Sequence, residues 1–179
     1  MQDNALITLI ISLIAARETA MGIPGTPIQQ AFQPTQQGTN SAPTAFLHKL
    51  YDKRRGTPQR SDAWDQTGNQ LVHTQKQLYD TVFQASALSI QDPANPTQVT
   101  ASDLLNLIAG ILADDQTVVA FQAQGLGILS ISDVSNGYFT DDFGRYEAEP
   151  TLEFTISHTQ SLVTTGPYID HAEFNLLPI

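Results

Sequence analysis

Residues able to do chemistry are few and thinly spread. The four histidines are His48, His73, His158 and His171. No two of them make a His-Glu-x-x-His pattern, the helical spacing of a zinc site. His158 and His171 fall in C-terminal segments that read as strands, with Asp170 near by. A hydrolase built on either histidine and a carboxylate is one reading; hydrogen-bonded or solvated strand histidines are the plainer one. The acidic pairs Asp114-Asp115 and Asp141-Asp142 invite a cation. Adjacent side chains point in different directions, so each pair is a poor chelate and reads as a helix end or a turn. There is no Gly-x-Ser-x-Gly elbow, P-loop or Gly-x-Gly-x-x-Gly. Gly125-Leu-Gly127 lies between a helix and a strand, the reverse of the order that cradles phosphate. Cysteine is absent, which excludes disulfides, thiolate nucleophiles and thiolate metal sites. Nothing here calls for a catalytic residue, a metal or a cofactor.

One local feature stands out: Lys49, Lys53, Arg54, Arg55 and Arg60, with Trp64 beyond. These five are most of the chain's eight basic residues. The run can be a solvated hairpin tip, a dock for an acidic surface on a neighbour, or a transient contact for nucleic acid. The charge of the whole chain bears on the choice. Eight basic against eighteen acidic residues give −10. That argues against a protein that coats nucleic acid over a wide surface. Residues 1–91 carry seven basic and six acidic side chains; residues 92–179 carry one and twelve. A self-assembling ring can use such a difference between neighbouring subunits.

The elements that would position these residues follow from periodicity. The 179 residues fit one domain, 1–179, long enough to bury a core. Leu6, Ile7, Leu9, Ile10, Ile11, Leu13 and Ile14 predict a helix apolar over about half its girth, a face normally buried on two sides. Its apolar stretch, residues 5–16, is too short to span a membrane and lacks the basic leader of a signal peptide. The chain therefore reads as a cytoplasmic product with no membrane partner. Gly22 and Pro24 stop the helix. Residues 28–37 read as a short strand and 38–43 as a loop. Thr44–Asp52 reads as a strand with Phe46, His48 and Leu50 on one face and Ala45, Leu47, Lys49 and Tyr51 on the other. Gln70–Ala85 reads as its partner, with a helix as the competing assignment. Between them, residues 53–69 read as a long polar loop, and loops of that length are often functional.

Thr100 with Asp103 resembles a capping box at the start of a second helix, which carries Leu104, Leu105, Leu107, Ile108, Ile111 and Leu112. Asp114-Asp115 ends it and starts a third, with Val118, Val119 and Phe121 inside and Gly125 as the stop. Short strands follow: 128–132, a turn at Asn136-Gly137, the clean alternation of Leu152, Phe154 and Ile156, a turn at Gly166-Pro167, and a last strand over 168–176. The helices do not alternate with the strands. The fold class is therefore α+β, mainly antiparallel sheet flanked by two or three α-helices.

This layout resembles the tail-terminator and neck gateway proteins of contractile-tailed bacteriophages. The likeness is most specific at Gly125-Leu-Gly-Ile-Leu-Ser-Ile-Ser-Asp-Val134, Gly144-Arg-Tyr-Glu147 and Leu152-Glu-Phe-Thr-Ile156. The resemblance implies a tail-terminator-like subunit, six copies of which form a ring. The ring would cap the tail tube, meet tube and sheath proteins on one side and a head-completion or adaptor protein on the other, and pass DNA through its channel. It implies a structural virion protein assembled in the host cytoplasm, with no catalytic residue and no cofactor. The alternative is another tail component: a tube subunit, a baseplate piece or an assembly chaperone. Lys53, Arg54, Arg55, Arg60 and Trp64 are the candidate subunit or partner interface.

Overall fold

The computed structural model describes residues 2–23, 25–31, 43–89, 95, 97–140 and 146–166. Asp141-Asp142, Asp170, His171, the expected strand 168–176, most of the loop 38–43 and the end of the strand expected over 28–37 lie outside these residues.

The first helix, α1, runs Asp3–Ala20. It ends as its glycine dictates. Gly22 takes φ +68, its N–H donates to the Thr19 carbonyl, and the Ile23 N–H reaches back to Glu18. This is the Schellman arrangement, which satisfies the last carbonyls of a helix. Leu6, Ile7, Ile10 and Ile14 are buried, while Leu9, Ile11 and Leu13 are only partly covered. The helix thus buries one stripe in its own domain and leaves the flanks of its wide apolar arc half open. Helix α2, Ala101–Ala113, starts with the expected capping box: Thr100 accepts from the Asp103 N–H and Asp103 from the Thr100 N–H. Helix α3, Asp115–Ala123, is capped by Asp114. Its inner stripe is Thr117 and Phe121, four apart; Val118 is half-buried and Val119 is exposed, contrary to the expected burial of both valines. The cap at Asp114 fixes the helix phase and so the side that faces in.

Six strands form one sheet: β1 (Ile28–Gln30), β2 (Thr44–Asp65), β3 (Gln70–Leu88), β4 (Leu126–Ile131), β5 (Ser135–Thr140) and β6 (Tyr146–Gly166). The order is β1-β2-β3-β6-β4, with β5 also on β6. All pairings among the described residues are antiparallel except β1 with β2. The expected α+β class, mainly antiparallel, is the observed one. Helix α2 lies on the sheet, and α1 packs on α2, α3 and β1. Phe83 of β3 and Phe154 of β6 sit opposite each other with ring centroids 5.6 Å apart. Around them Ala85, Leu152 and Ile156 meet Leu105, Ile108 and Leu112 of α2.

Two assignments change. Residues 53–69 are not a loop. Strand β2 continues to Asp65 and β3 begins at Gln70, leaving a turn at residues 66–69. The polar composition hid a strand whose backbone is paired with β3 nearly throughout. Asn136-Gly137 is likewise strand, opposite Pro150 and Glu149. Here pairing down β6 prevails over local turn propensity, and the break falls at residues 132–134.

Replacing Phe83 by alanine is expected to cost about 3–5 kcal/mol of unfolding free energy in urea titrations, against about 1 kcal/mol for Thr100→Ala. Near-equal losses would mean that the Phe83–Phe154 layer is not the centre of the core.

Candidate functional site

An irregularity in β2 builds a polar cluster. Lys49 sits opposite Phe83 and Tyr51 opposite Val82, so one extra residue, Leu50, bulges out of the ladder. The bulge reverses the alternation. Upstream, odd-numbered residues share the face of Phe83; downstream, even-numbered ones do. The expected sharing of one face by Lys49 and Tyr51 therefore fails, and Lys49 and Asp52 come together instead. Lys49 Nζ bonds Asp52 and also both carboxylate oxygens of Asp3, at 2.9 Å each, tying the start of α1 to the strand. Asp52 Oδ1 accepts from the Thr81 hydroxyl at 2.6 Å, and Thr81 Oγ1 lies 2.9 Å from His158 Nε2. The His158 ring stacks on Tyr79, and the Arg54 guanidinium lies 6.0 Å from the Tyr79 ring centre. Asp3, Lys49, Asp52, Arg54, Tyr79 and His158 line a cleft of about 410 Å³, with Thr81 buried behind them.

The proton bookkeeping is closed. Thr81 has one proton and gives it to Asp52, so His158 Nε2 must donate to Thr81. His158 Nδ1 is then a buried lone pair with no partner. Burial pushes the imidazole below its ordinary 6.5. Burial works against ionisation of Asp52 too, but hydrogen bonds from Lys49 and Thr81 hold its carboxyl below the usual value. Burial likewise opposes the charge on Lys49, and its bonds to Asp52 and Asp3 outweigh that and raise it. The hydroxyl sits between carboxylate and imidazole, its proton committed to the carboxylate. A nucleophilic triad needs the imidazole in the middle. The geometry is that of a structural clasp. Among the described residues no group of three or more potential metal ligands gathers.

Beyond the clasp, β2, β3 and β6 continue as a three-stranded arm. Counted along β3 from Asp80, opposite Lys53, to Gln70, opposite Asp65, it extends roughly 34 Å at about 3.4 Å per residue. The five candidate interface residues all lie on it, but not in one patch. Register puts Lys53 and Arg55 on the face of Asp80, and Arg54, Arg60 and Trp64 on the face of Tyr79. Arg55 pairs with the nearly buried Asp80, with Nε 2.9 Å and Nη2 2.8 Å from Oδ2. A second irregularity, at Gly56-Thr-Pro58, separates these residues from Arg60. Gly56 takes φ +67, and the buried Gln77 amide fills the gap by donating to the Arg55 carbonyl at 2.9 Å. Further out, His73 Nδ1 meets Asp62 Oδ1 at 2.8 Å beside Arg60.

Comparison with known families decides what kind of protein carries this arm. The family model described as E217 gateway protein gp29 matches residues 5–168. The chain belongs to that gateway-protein family. It is a structural component of the phage neck. A search of curated proteins finds no match. Among the described residues of the gateway chain, no single helix is long and apolar enough to cross a membrane.

Sequence reasoning missed the clasp of the gateway chain for a physical reason. Lys49 and Asp52 are three apart, a spacing that places side chains on opposite faces of a regular strand; only the bulge at Leu50 joins them. Thr81 and His158 arrive from strands 77 residues apart. The one detectable signal lay in the partner strand, where Leu71, Val72, Leu78, Tyr79, Val82 and Phe83 fall on both faces, as suits a bulge or twist in the pair.

Neutral His158 is favoured by the fold, so its contribution is full above pH 6.5 and is lost as pH falls below that value. Urea midpoints of the wild type are expected to drop between pH 7.5 and pH 5, and those of His158→Gln to drop less. An equal drop in both would show that His158 does not couple folding to protons.

Proposed function

We propose that this gateway chain closes into a ring, six copies round, that caps the tail tube in the virion neck. The ring joins tube and sheath proteins on one side to a head-completion or adaptor protein on the other, and DNA passes through its channel. The ring assembles in the host cytoplasm and its work is architectural. The observation that carries the reading is the arm. Three strands project from the core with both faces in water, and Trp64, Leu162 and Val163 stand exposed on it. Such a ribbon gains little stability from its own packing and suits burial in an assembly.

Two further features support a ring. A cyclic assembly needs two different complementary patches on each subunit. The basic residues of β2 and the acidic second half of the chain offer a pair of opposite sign. The half-covered flanks of α1, Leu9 and Leu13 on one side of the buried stripe and Ile11 on the other, offer apolar surface. Net negative charge also keeps DNA from adhering to a channel wall, since carboxylate and phosphate repel.

Light scattering across a concentration series is expected to find a species near six times the 19.5 kDa subunit mass. Negative-stain images separate this from the alternative of a tube subunit: a terminator stops at closed rings, whereas a tube subunit grows long tubes. Arg54→Glu with Arg60→Glu is expected to leave the circular dichroism of the subunit unchanged and to weaken ring formation or docking. Arg55 is left intact in that test because Asp80 depends on it. Normal assembly of the double variant would remove the basic residues from the account.

A further inference from the structure

Among the described residues, the outer part of β6 from Thr159 to Gly166 is paired on one side only. Strand β3 holds it there, while β4 and β5 pair β6 only as far as His158. The groups that face the open side follow from the register. The Glu153 N–H donates to the Ser132 hydroxyl and its carbonyl accepts from the Ser132 N–H, so the Glu153 backbone points away from β3. The pairing of β6 with β3 is unbroken from Thr151 to Gly166. Alternation therefore turns the N–H and C=O of Thr159, Ser161, Val163 and Thr165 outward, and leaves those of Gln160, Leu162 and Thr164 on β3. An exposed edge normally carries charge, proline or a bulge against unwanted pairing. Strand β2 has all three, in Arg60, Pro58 and the irregularity at Gly56-Thr-Pro58. The β6 stretch, Thr-Gln-Ser-Leu-Val-Thr-Thr-Gly, has none of them. Its Leu162 and Val163 are exposed, one on each face.

We infer that Thr159–Gly166 is a strand-addition site, which takes an extended segment of another protein, apolar and acidic in composition, as a fourth strand of the arm. The outward backbone groups supply the ladder, and Leu162 and Val163 give an apolar contact on each face. Charge selects the acidic partner. The nearest fixed charge is Lys76, opposite Ser161, exposed and in no ion pair among the described residues. Neither this stretch of β6 nor β3 from Leu71 to Gln77 carries a carboxylate. Asp62 and Asp65 lie on β2, one strand further off. A carboxylate on the added strand thus meets Lys76 with no like charge beside it. The outer side of β2 is no counterpart for this edge, since Pro58 lacks a donor and Arg60 adds positive charge. The inference goes beyond the ring, because the occupant is a different polypeptide.

The probe is the end-blocked, fluorescein-labelled peptide Thr-Val-Glu-Val-Glu-Val-Thr, set against its counterpart Thr-Val-Lys-Val-Lys-Val-Thr. Binding to the full chain is followed by fluorescence anisotropy. The glutamate peptide is expected to bind about tenfold more tightly than the lysine one. Ser161→Pro removes an outward N–H and spares the bonds to β3. It is expected to keep the circular dichroism of the wild type and to weaken binding by about tenfold or more. Lys76→Glu is expected to reverse the preference between the peptides, a result that does not depend on the proline variant. Equal binding of the two peptides, no binding of either, or binding unmoved by Ser161→Pro overturns the inference. Binding only after removal of residues 167–179 overturns it too, because the chain's own end then holds the edge. Light scattering on the same samples keeps the ring separate. A ring-sized species that the peptide dissociates gives the edge to a second copy and overturns the inference. A ring-sized species that binds no peptide removes the strand site and leaves the ring.

Discussion

The structure depends on one continuous register along β3. From Leu71 to Ser86 this strand is paired with β6 without a break, and on its other side it holds β2 through two irregularities. At the inner end that register is set by packing, because Phe83 must meet Phe154 and Ala85 must meet Leu152 beneath α2. A slip of one residue would turn this set to the opposite face and expose the core. The outer end has no core of its own, so it inherits its alignment from the inner one. The arm is a lever fixed in the hydrophobic layer.

The clasp stands where this transfer takes place. Lys49, Asp52, Thr81 and His158 lie where the buried part of the sheet gives way to the exposed part. An exposed ion pair adds little to stability. This network joins α1, β2, β3 and β6 at one point, and its inner members are shielded from water. Its effect is to hold four elements in one arrangement at the position where apolar packing runs out. The bulge at Leu50 is therefore part of the design of the site, since without it Lys49 and Asp52 would face apart.

What was legible in the sequence follows the same division. The core elements declared themselves through period and caps: the Thr100–Asp103 box, the stop at Gly22, the alternation of Leu152, Phe154 and Ile156. The arm did not. Lys53–Asp65 contains charges, a glycine and a proline, and has no buried face to impose a period of two. Its strand character comes from partners far away in the chain, which local propensity does not register. Asn136-Gly137 misled for the converse reason, because a strong local turn signal yielded to pairing with β6. The basic residues were found by composition, but their division between two faces required the register.

That division changes what the basic run can do. Arg55 is committed to Asp80, whose second oxygen Oδ1 is buried without a partner, so its charge is largely spent inside the subunit. Arg54 and Arg60 lie on the other face with Trp64, where positive charge and apolar surface are offered together. Nucleic acid would be met better by a patch in which all the cations face one way. A protein surface that carries carboxylates beside apolar contact area fits a mixed face of this kind.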